Sequence, residues 1–261
     1  MRPILFSIGH LHFFAAPIFA GLSALLAAAY FWRFRERAGL SREDYWNLMG
    51  VLALCSIGGG LLDYLLLYGG GPLANLNWSL QHRDIRGGSF YGTVWGAAAG
   101  LALFAGLQRK PLQGLADLLG GASAIGLSLM RWGCFQHGCC FGKPTLSRLS
   151  VVFRDPRCAV DRGVLNFPVH PTQVYEALFC LILFGILHFH LYAKPRRRPG
   201  GVFIAFIGSY SAFRFFLEFV RGSDRGLFHH FGLSTAQWWS LASLAAAFAL
   251  HRLWSRDESP A

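Results

Sequence analysis

The residues of this chain that could carry chemistry lie in four short clusters, each beside an apolar run. The richest cluster extends from Arg131 to Thr145 and contains three cysteines, one histidine and three glycines. A thiolate is a strong nucleophile and a soft metal ligand, and nearby cations such as Arg131 and Lys143 lower the pKa of a thiol. Packing alone does not explain so many reactive groups in one segment. The cluster is therefore a candidate site.

The sequence Arg214-x-x-x-Glu218-x-x-Arg221 forms a second cluster within and just after an apolar run. Arg214 and Glu218 are four residues apart, so on a helix they share a face and can form an ion pair. Arginine presents a planar fork that matches phosphate oxygens. If the apolar run spans a bilayer, the phosphate available near its end belongs to a lipid headgroup. The pattern predicts a phospholipid-binding site.

The two remaining clusters each come before an apolar run. Arg86-Gly87-Gly88 precedes one run, and glycines there let backbone N–H groups approach an anion. His170-Pro171-Thr172-Gln173 opens another run, and Glu176 lies one turn inside it. Ionisable groups within apolar runs usually face a cavity or one another. Glu176 is therefore a candidate site residue.

The elements that position these clusters are predicted to be membrane helices. The chain is 54% hydrophobic and only 14% charged, against about 25% charged for a typical soluble domain. Apolar runs of about 20 residues match the thickness of a bilayer. Seven such runs are found, at Phe13–Trp32, Trp46–Tyr68, Ser89–Leu107, Leu115–Met130, Thr172–Tyr192, Gly201–Val220 and Ser234–Leu253. We therefore expect an all-α integral membrane protein with about seven transmembrane helices in one polytopic domain, 1–261.

The distribution of positive charge predicts the orientation. The net charge is +11, and arginines and lysines cluster after the first, third, fifth and seventh runs. Short loops rich in such residues face the cytoplasm. This places the amino terminus outside, the carboxyl terminus in the cytoplasm, and the long loop 131–171 on the outer face. The positive charge is explained by topology and anionic lipids, so no nucleic-acid partner is expected.

Over most of its length the chain resembles bacterial prolipoprotein diacylglyceryl transferases. The likeness rests on motifs in the family's order, namely Arg86-Gly87-Gly88-Ser89-Phe90, Arg131-x-Gly133-x-Phe135-x-x-Gly138-x-x-x-Gly142, His170-Pro171-Thr172-Gln173-Val174-Tyr175-Glu176-Ala177 and Arg214-x-x-x-Glu218-x-x-Arg221-x-x-Asp224. The resemblance implies an inner-membrane enzyme with a lateral lipid-facing cavity. Such enzymes move the diacylglyceryl group of phosphatidylglycerol to the lipobox cysteine in a prolipoprotein signal peptide, without a cofactor or a metal.

The resemblance also implies roles for individual residues. Arg131, Arg214 and Arg221 would stabilise the lipid phosphate, and Glu218 would orient Arg214 at the reacting centre. Gly88, Gly138 and Gly142 would shape the headgroup pocket. We also predict that these three glycines, together with Arg86, Cys134, His170, Gln173 and Glu176, bind substrate.

This sequence departs from the family where proton transfer is expected. The family's histidine in the glycine motif is Tyr91 here, and two asparagines and a glutamate of its signature loop are Cys134, His137 and Cys139. Either Tyr91 and His137 replace the histidine as proton acceptor, or a thiol of the enzyme, Cys139 or Cys134, reacts itself. The cysteines could instead form disulfides with Cys158, or bind a metal, although their spacing is not a usual zinc pattern. Two other functions also remain open, a non-catalytic phospholipid-binding relative and a cysteine-dependent lipid transferase with another acceptor.

Overall fold

Seven α-helices account for most of the part of the chain described by the computed structural model, residues 1–9, 11–67, 90–192, 199–222 and 232–256. The helices are α1 Ala15–Phe34, α2 Arg42–Leu67, α3 Phe90–Gln108, α4 Leu112–His137, α5 Thr172–Gly185, α6 Gly201–Leu217 and α7 Thr235–Arg256. Three helices are extended by tighter or wider turns, at Arg35–Ala38 after α1, Ile186–Tyr192 after α5 and Glu218–Val220 after α6. Each predicted run coincides with one helix.

Six of these helical segments are long and apolar enough to cross a membrane, and they are Ala15–Ala38, Arg42–Leu66, Phe90–Gln108, Leu112–His137, Thr172–Phe189 and Gly201–Val220. The helix α7 has a sufficient length of 22 residues but is less apolar than the others. Large apolar side chains face outward from several spans, for example Leu54 and Leu107, which are 75% and 73% exposed. A surface of this kind suits lipid, which confirms the prediction of an all-α integral membrane protein.

Two short antiparallel pairs of strands complete the described fold. The strand β1 (Ile4–Ile8) pairs with β2 (Leu11–Phe14) immediately before α1. The strand β3 (Val151–Val152) pairs with β4 (Pro168–Val169) in the loop between α4 and α5. This loop has its own apolar core around Phe153 and Val169, both fully buried. It is therefore a folded element that can hold side chains in place.

The boundary of α4 corrects one prediction. The helix runs from Leu112 to His137, so residues 131–137 are helical and the prediction that the outer loop begins at Arg131 is wrong. The apolar run ends at Arg131 because that residue is charged. The helix continues because the charge finds a buried acidic partner, Glu176, instead of water.

The pattern of contacts between residues divides the chain into two compact units. The first unit comprises Met1–Ala29, Gly121–Ala193 and Phe216–Asp224, and the second comprises Tyr30–Gly120, Lys194–Phe215 and Arg225–Ala261. Each unit draws on segments that are distant in sequence. The assignment of residues 1–261 to one polytopic domain stays a prediction.

The second unit contains a close packing of α2 against α3 through small residues. A Cβ added at Gly96 or Gly100 would lie against Cys55, with the latter contact at 2.8 Å between Cβ atoms. Small residues let transmembrane helices approach this closely. The same unit has an apolar pocket of about 280 Å³, lined by side chains that include Trp95, Phe203 and Trp254. The pocket lining contains no ionisable residue. The lateral lipid-facing cavity stays a prediction.

A buried carboxylate fixes the start of α6 in the second unit. Asp117 on α4 is fully buried and accepts hydrogen bonds from the backbone N–H groups of Gly200, Val202 and Phe203 at 2.9, 2.9 and 3.2 Å. The first N–H groups of a helix have no partner inside the helix, and an anion is favoured there. Asp117 therefore acts as a cap supplied by another helix.

Candidate active site

A buried ion pair between α4 and α5 forms the base of the candidate site, in the first unit. Nε of Arg131 lies 2.9 Å from Oε2 of Glu176, and both side chains are buried, at 5% and 1% exposed. A hydrogen bond of 2.9 Å from Ser128 Oγ to the Ala177 carbonyl ties the two helices together at the same level. Buried charges need such a partner, because an isolated ion is costly to bury.

The other edge of the Arg131 guanidinium faces sulfur. Its Nη1 donates to Sγ of Cys140 at 3.6 Å and of Cys134 at 3.9 Å. One arginine therefore joins the acid on α5 to two thiols. This arrangement explains why a charge is tolerated near the end of a membrane-spanning helix.

Cys134, Cys139 and Cys140 form a compact group, named here the three-cysteine cluster. Their three Sγ atoms all lie within 4.8 Å of one another. Cys134 lies on the last turn of α4 and is buried, whereas Cys139 and Cys140 lie in the following loop and are partly exposed. All six cysteines of the chain are free thiols in this structure, so the disulfides considered from the sequence are not formed.

The thiols of the cluster differ in acidity. Hydrogen bonds from Cys134 and Cys139, together with the positive charges of Arg221 and Arg131, hold the pKa of the Cys140 thiol well below its usual range. The pKa of Cys139 is raised, because its hydrogen bonds to Cys134 and Cys140 and its burial favour the neutral thiol. Cys140 is therefore the most acidic of the loop thiols, whereas the sequence pointed to Cys139.

The start of α5 holds the cysteine loop by its backbone. Thr172 Oγ1 donates to the Cys140 carbonyl at 2.6 Å, and Gln173 Nε2 donates to the Cys139 carbonyl at 2.7 Å. Cys140 adopts a φ of +61°, in the left-handed region that side chains other than glycine rarely occupy. Such a conformation persists only where the surroundings impose it. The loop is therefore held in one shape.

Two glycines of the signature loop allow close approach. Gly138 has a φ of +84°, and a Cβ added there would lie 2.8 Å from Cβ of Cys158. A Cβ added at Gly142 would lie 2.5 Å from Cβ of His170. Neither position has room for a larger residue without a shift of its neighbours. The predicted role of these glycines in the headgroup pocket stays a prediction.

Backbone hydrogen bonds hold the chain around Gly142 to the segment just before α5 and to the end of the turn after α6. Gly142 N–H donates to the His170 carbonyl at 2.9 Å, and Lys143 N–H donates to the Val220 carbonyl at 2.8 Å. Gly142 and Arg221 form an antiparallel bridge. This bridge brings Arg221 to the cysteine loop, where its charge acts on Cys140. Arg131 and Arg221, predicted to share a site, thus both act electrostatically on the Cys140 thiol.

The polar side chains around the loop differ in their hydrogen bonding. Nδ1 of His170 lies 3.3 Å from the Tyr175 hydroxyl. Among the described residues, Nδ1 of His137 and Oε1 of Gln173 are buried without a hydrogen-bond partner. Gln173 is fully buried. Its Oε1 is an acceptor that a substrate donor could satisfy.

The residues of the cluster Arg214-x-x-x-Glu218-x-x-Arg221 are divided between the two units. Glu218 is 1% exposed in the short turn that continues α6, in the first unit, and Arg214 is 6% exposed on α6, in the second. The predicted ion pair between them stays a prediction.

Tyr91 in the second unit is buried, and its hydroxyl lies 2.7 Å from Ser240 Oγ. Ser240 Oγ donates its single proton to the Ala236 carbonyl, so Tyr91 donates to Ser240. The proton of the Tyr91 hydroxyl is therefore engaged by Ser240 on α7. This geometry favours a positioning role for Tyr91 over the predicted role of proton acceptor. Arg86 and Gly88 lie outside the described residues.

Three contributions were missed by the sequence interpretation, namely the acidic Cys140, the anchoring hydroxyl of Thr172 and the capping Asp117. Asp117 had an available signal, since it is an acidic residue inside a predicted apolar run. The other two depend on contacts between the loop and α5, and residue spacing does not reveal these.

Comparison with known proteins gives a family match over nearly the whole chain. The family model described as prolipoprotein diacylglyceryl transferase matches residues 3–253. The match includes α1 to α6, nearly all of α7 and the entire cysteine loop.

Individual relatives carry the same description. A protein of Dehalococcoides mccartyi named phosphatidylglycerol–prolipoprotein diacylglyceryl transferase is 31% identical over 265 residues, covering 98% of this chain and 96% of the relative. A protein of that name in Geobacter sulfurreducens is 34% identical over 240 residues, covering 86% and 84%. One in Clostridium tetani is 28% identical over 246 residues, covering 94% of both chains.

Proposed function

The chain belongs to the prolipoprotein diacylglyceryl transferase family, and we propose that it moves the diacylglyceryl group of phosphatidylglycerol to the lipobox cysteine of prolipoproteins. The product would be a thioether, and glycerol phosphate would leave. The observation that carries this proposal is the buried Arg131, held by Glu176 at 2.9 Å beside a loop that also receives the charge of Arg221.

The two cations are suited to the leaving group of this reaction. Attack by a thiolate on the glyceryl carbon breaks a carbon–oxygen bond, and the bonding electrons depart with the phosphate. The phosphate gains a second negative charge as the bond breaks. Guanidinium groups that are fixed before the reaction stabilise this growing charge more than the charge of the bound lipid, and such a difference lowers the barrier.

We assign Arg214 to the reacting centre and Glu218 to its orientation, because both side chains are buried and they are four residues apart. His137 is the better candidate than Tyr91 for accepting a proton, since its Nδ1 is buried without a hydrogen-bond partner among the described residues. The predicted substrate-binding set consists of Arg86, Gly88, Arg131, Cys134, Gly138, Gly142, His170, Gln173, Glu176 and Arg221.

The protein spans a membrane several times. We propose the bacterial inner membrane, with the amino terminus outside and the carboxyl terminus in the cytoplasm. The arginines that follow α1, including Arg35 and Arg37, support this orientation, because short arginine-rich segments face the cytoplasm. Loop 138–171 then lies on the outer side, where secreted prolipoproteins are available.

Complementation tests the proposal. A bacterial strain depleted of its own transferase should grow when this gene is supplied, and the Arg214→Ala variant should fail to support growth. Arg157→Ala is the matched control, because Arg157 lies in the outer loop and its side chain is 64% exposed. Absence of growth with wild-type protein present in the membrane would contradict the proposal and favour a lipid-binding role.

A further inference from the structure

Cys139 and Cys140 have no task in the proposed transfer reaction, and Cys134 is assigned only to the substrate-binding set. We propose that Cys134, Cys139 and Cys140 bind one Zn²⁺ ion and leave its fourth coordination position open to the thiol of the incoming prolipoprotein. This inference rests on the proposed function and adds the means by which the acceptor thiol is activated.

The sulfur positions fit such an ion. Zn–S bonds of about 2.3 Å place the sulfurs of a tetrahedral site about 3.8 Å apart. The three Sγ atoms already lie within 4.8 Å of one another. A contraction of about 1 Å, within reach of side-chain rotation, would complete the site. Thiolates are also the ligands that select zinc over magnesium or calcium.

The charges around the three-cysteine cluster also suit a bound Zn²⁺ ion. Three thiolates and one Zn²⁺ ion together carry a single negative charge. Arg131 Nη1 already donates to Cys140 and Cys134, at 3.6 and 3.9 Å, and Glu176 fixes that guanidinium through its Nε. Groups outside the ligands that hydrogen-bond to them and set their orientation are a general requirement of metal sites. Arg131 and Glu176 supply this second layer.

The polypeptide holds the sulfurs before any metal binds. Cys134 is fixed by α4, and the carbonyls of Cys139 and Cys140 are held by Gln173 and Thr172. The left-handed conformation of Cys140, with φ of +61°, is maintained by these contacts. A loop that is already ordered loses little conformational entropy when the ion binds.

Three protein ligands indicate a catalytic site rather than a structural one. Structural zinc sites use four protein ligands, whereas catalytic sites use three and keep one position for water or substrate. Only these three cysteines form a metal-ligand group of three or more among the described residues. Cys139 and Cys140 are partly exposed, and the proposal places the open coordination position on their side of the cluster.

The resulting step balances. The prolipoprotein thiol binds as a thiolate and gives its proton to His137, the proposed proton acceptor, because a coordinated thiol is deprotonated. Its sulfur forms the new bond to the glyceryl carbon, the carbon–oxygen bond breaks, and glycerol phosphate leaves with that electron pair. The thioether product is neutral and binds metal weakly, so a new thiol can replace it. No oxidant or reductant is required.

Metal binding is tested on the full-length protein purified in detergent. After removal of metal and addition of Zn²⁺, elemental analysis should give about one zinc per chain, and Co²⁺ should give the charge-transfer band of thiolate ligands and the visible spectrum of a tetrahedral ion. Cys134→Ser, Cys139→Ser and Cys140→Ser should each weaken binding by at least about 100-fold. Cys158→Ser, in the same loop but outside the cluster, is the matched control. No bound zinc in the wild type would overturn the proposal.

A second measurement uses only the wild-type protein, so it does not depend on whether the cysteine variants fold. In the wild-type protein, bound Zn²⁺ should protect these three thiols from alkylation, as read by mass spectrometry of peptides, and a chelator should remove that protection. Protection of Cys158 alone, or protection that persists without metal because of disulfides, would overturn the proposal.

The open position is tested with a lipobox peptide. The spectrum of the Co²⁺ protein should change when a peptide with cysteine is added, and should stay unchanged with the serine analogue. An unchanged spectrum with both peptides, as expected if His137 closed the site, would overturn the inference. Transfer by a verified metal-free enzyme at the full rate would overturn it and leave the proposed function intact. Zinc binding with no transfer would instead count against the proposed function.

Discussion

Two buried carboxylates on neighbouring helices have opposite surroundings. Asp117, in the second unit, accepts hydrogen bonds from three backbone N–H groups, and these bonds fix the start of α6. Glu176, in the first unit, is paired with a guanidinium that also donates to two cysteines. A carboxylate that caps a helix stabilises the fold, whereas one that holds a cation beside reactive thiols prepares a site for an anion. Burial alone does not distinguish the two cases.

Among the variants near Glu176, Arg131→Ala should have the largest effect on activity. Removing a fixed cation that stabilises transition-state charge costs about 100- to 1,000-fold in rate. We expect this loss in kcat/KM for transfer from phosphatidylglycerol. The exposed Arg157→Ala variant controls for the loss of a positive charge in the loop between α4 and α5. A loss below about tenfold, well short of the effect of a single such donor, would show that Arg131 does not contact the lipid phosphate.

Glu176→Gln should have the next largest effect. The amide preserves the shape of the side chain but removes the charge that holds Arg131. Misplacing a catalytic group by about 1 Å costs up to about 100-fold. We expect kcat to fall by about 10- to 100-fold, with partial recovery in Glu176→Asp. If only the melting temperature fell, with kcat unchanged, Glu176 would be a structural residue like Asp117.

Gly142→Ala should reduce transfer by about tenfold, because a displacement of a few tenths of an ångström at the site is already costly. The added Cβ would lie 2.5 Å from Cβ of His170 and 2.7 Å from its carbonyl oxygen, so the loop that pairs with Arg221 must shift. Gly163→Ala is the control in the same loop, since its Cβ would meet only Asp161 at 3.6 Å. Equal activity of the two variants would contradict the account.

Asp117→Asn should affect stability and leave transfer within about threefold of wild type. Loss of the charge-assisted bonds to three backbone donors costs about 1–3 kcal/mol. For a chain of this size the melting temperature in detergent should fall by several degrees, at about 2–4 °C per kcal/mol. Asp161→Asn, at an exposed position of the loop between α4 and α5, should change it little. A large loss of transfer at an unchanged melting temperature would remove the contrast with Glu176.

The helices were predictable from the sequence because the bilayer imposes a single length on apolar runs. The end of α4 was not, because Arg131 ends the apolar run while the helix continues for six more residues. Only the register between α4 and α5 reveals that Glu176 neutralises the charge. The length of an apolar run is a property of one segment, whereas the end of α4 depends on two segments, α4 and α5.

The site was predictable as a set of residues but not as an arrangement. The motifs identified Arg131, Glu176 and Arg221, and the structure adds that Arg131 joins Glu176 to the cysteines. The linear spacing of the three cysteines did not resemble a usual zinc pattern. Their sulfurs meet because the last turn of α4 and a left-handed Cys140 bring distant positions together. Spacing rules do not capture such a change in chain direction.

The most direct test measures transfer by the purified protein in vesicles that contain phosphatidylglycerol labelled in its diacylglyceryl group. With a lipobox peptide as acceptor, the account predicts a labelled peptide whose mass matches a thioether on the cysteine. No product should form with the serine analogue, and the yield should fall sharply with Arg131→Ala. Folded wild-type protein that binds the lipid but yields no labelled peptide would contradict the account.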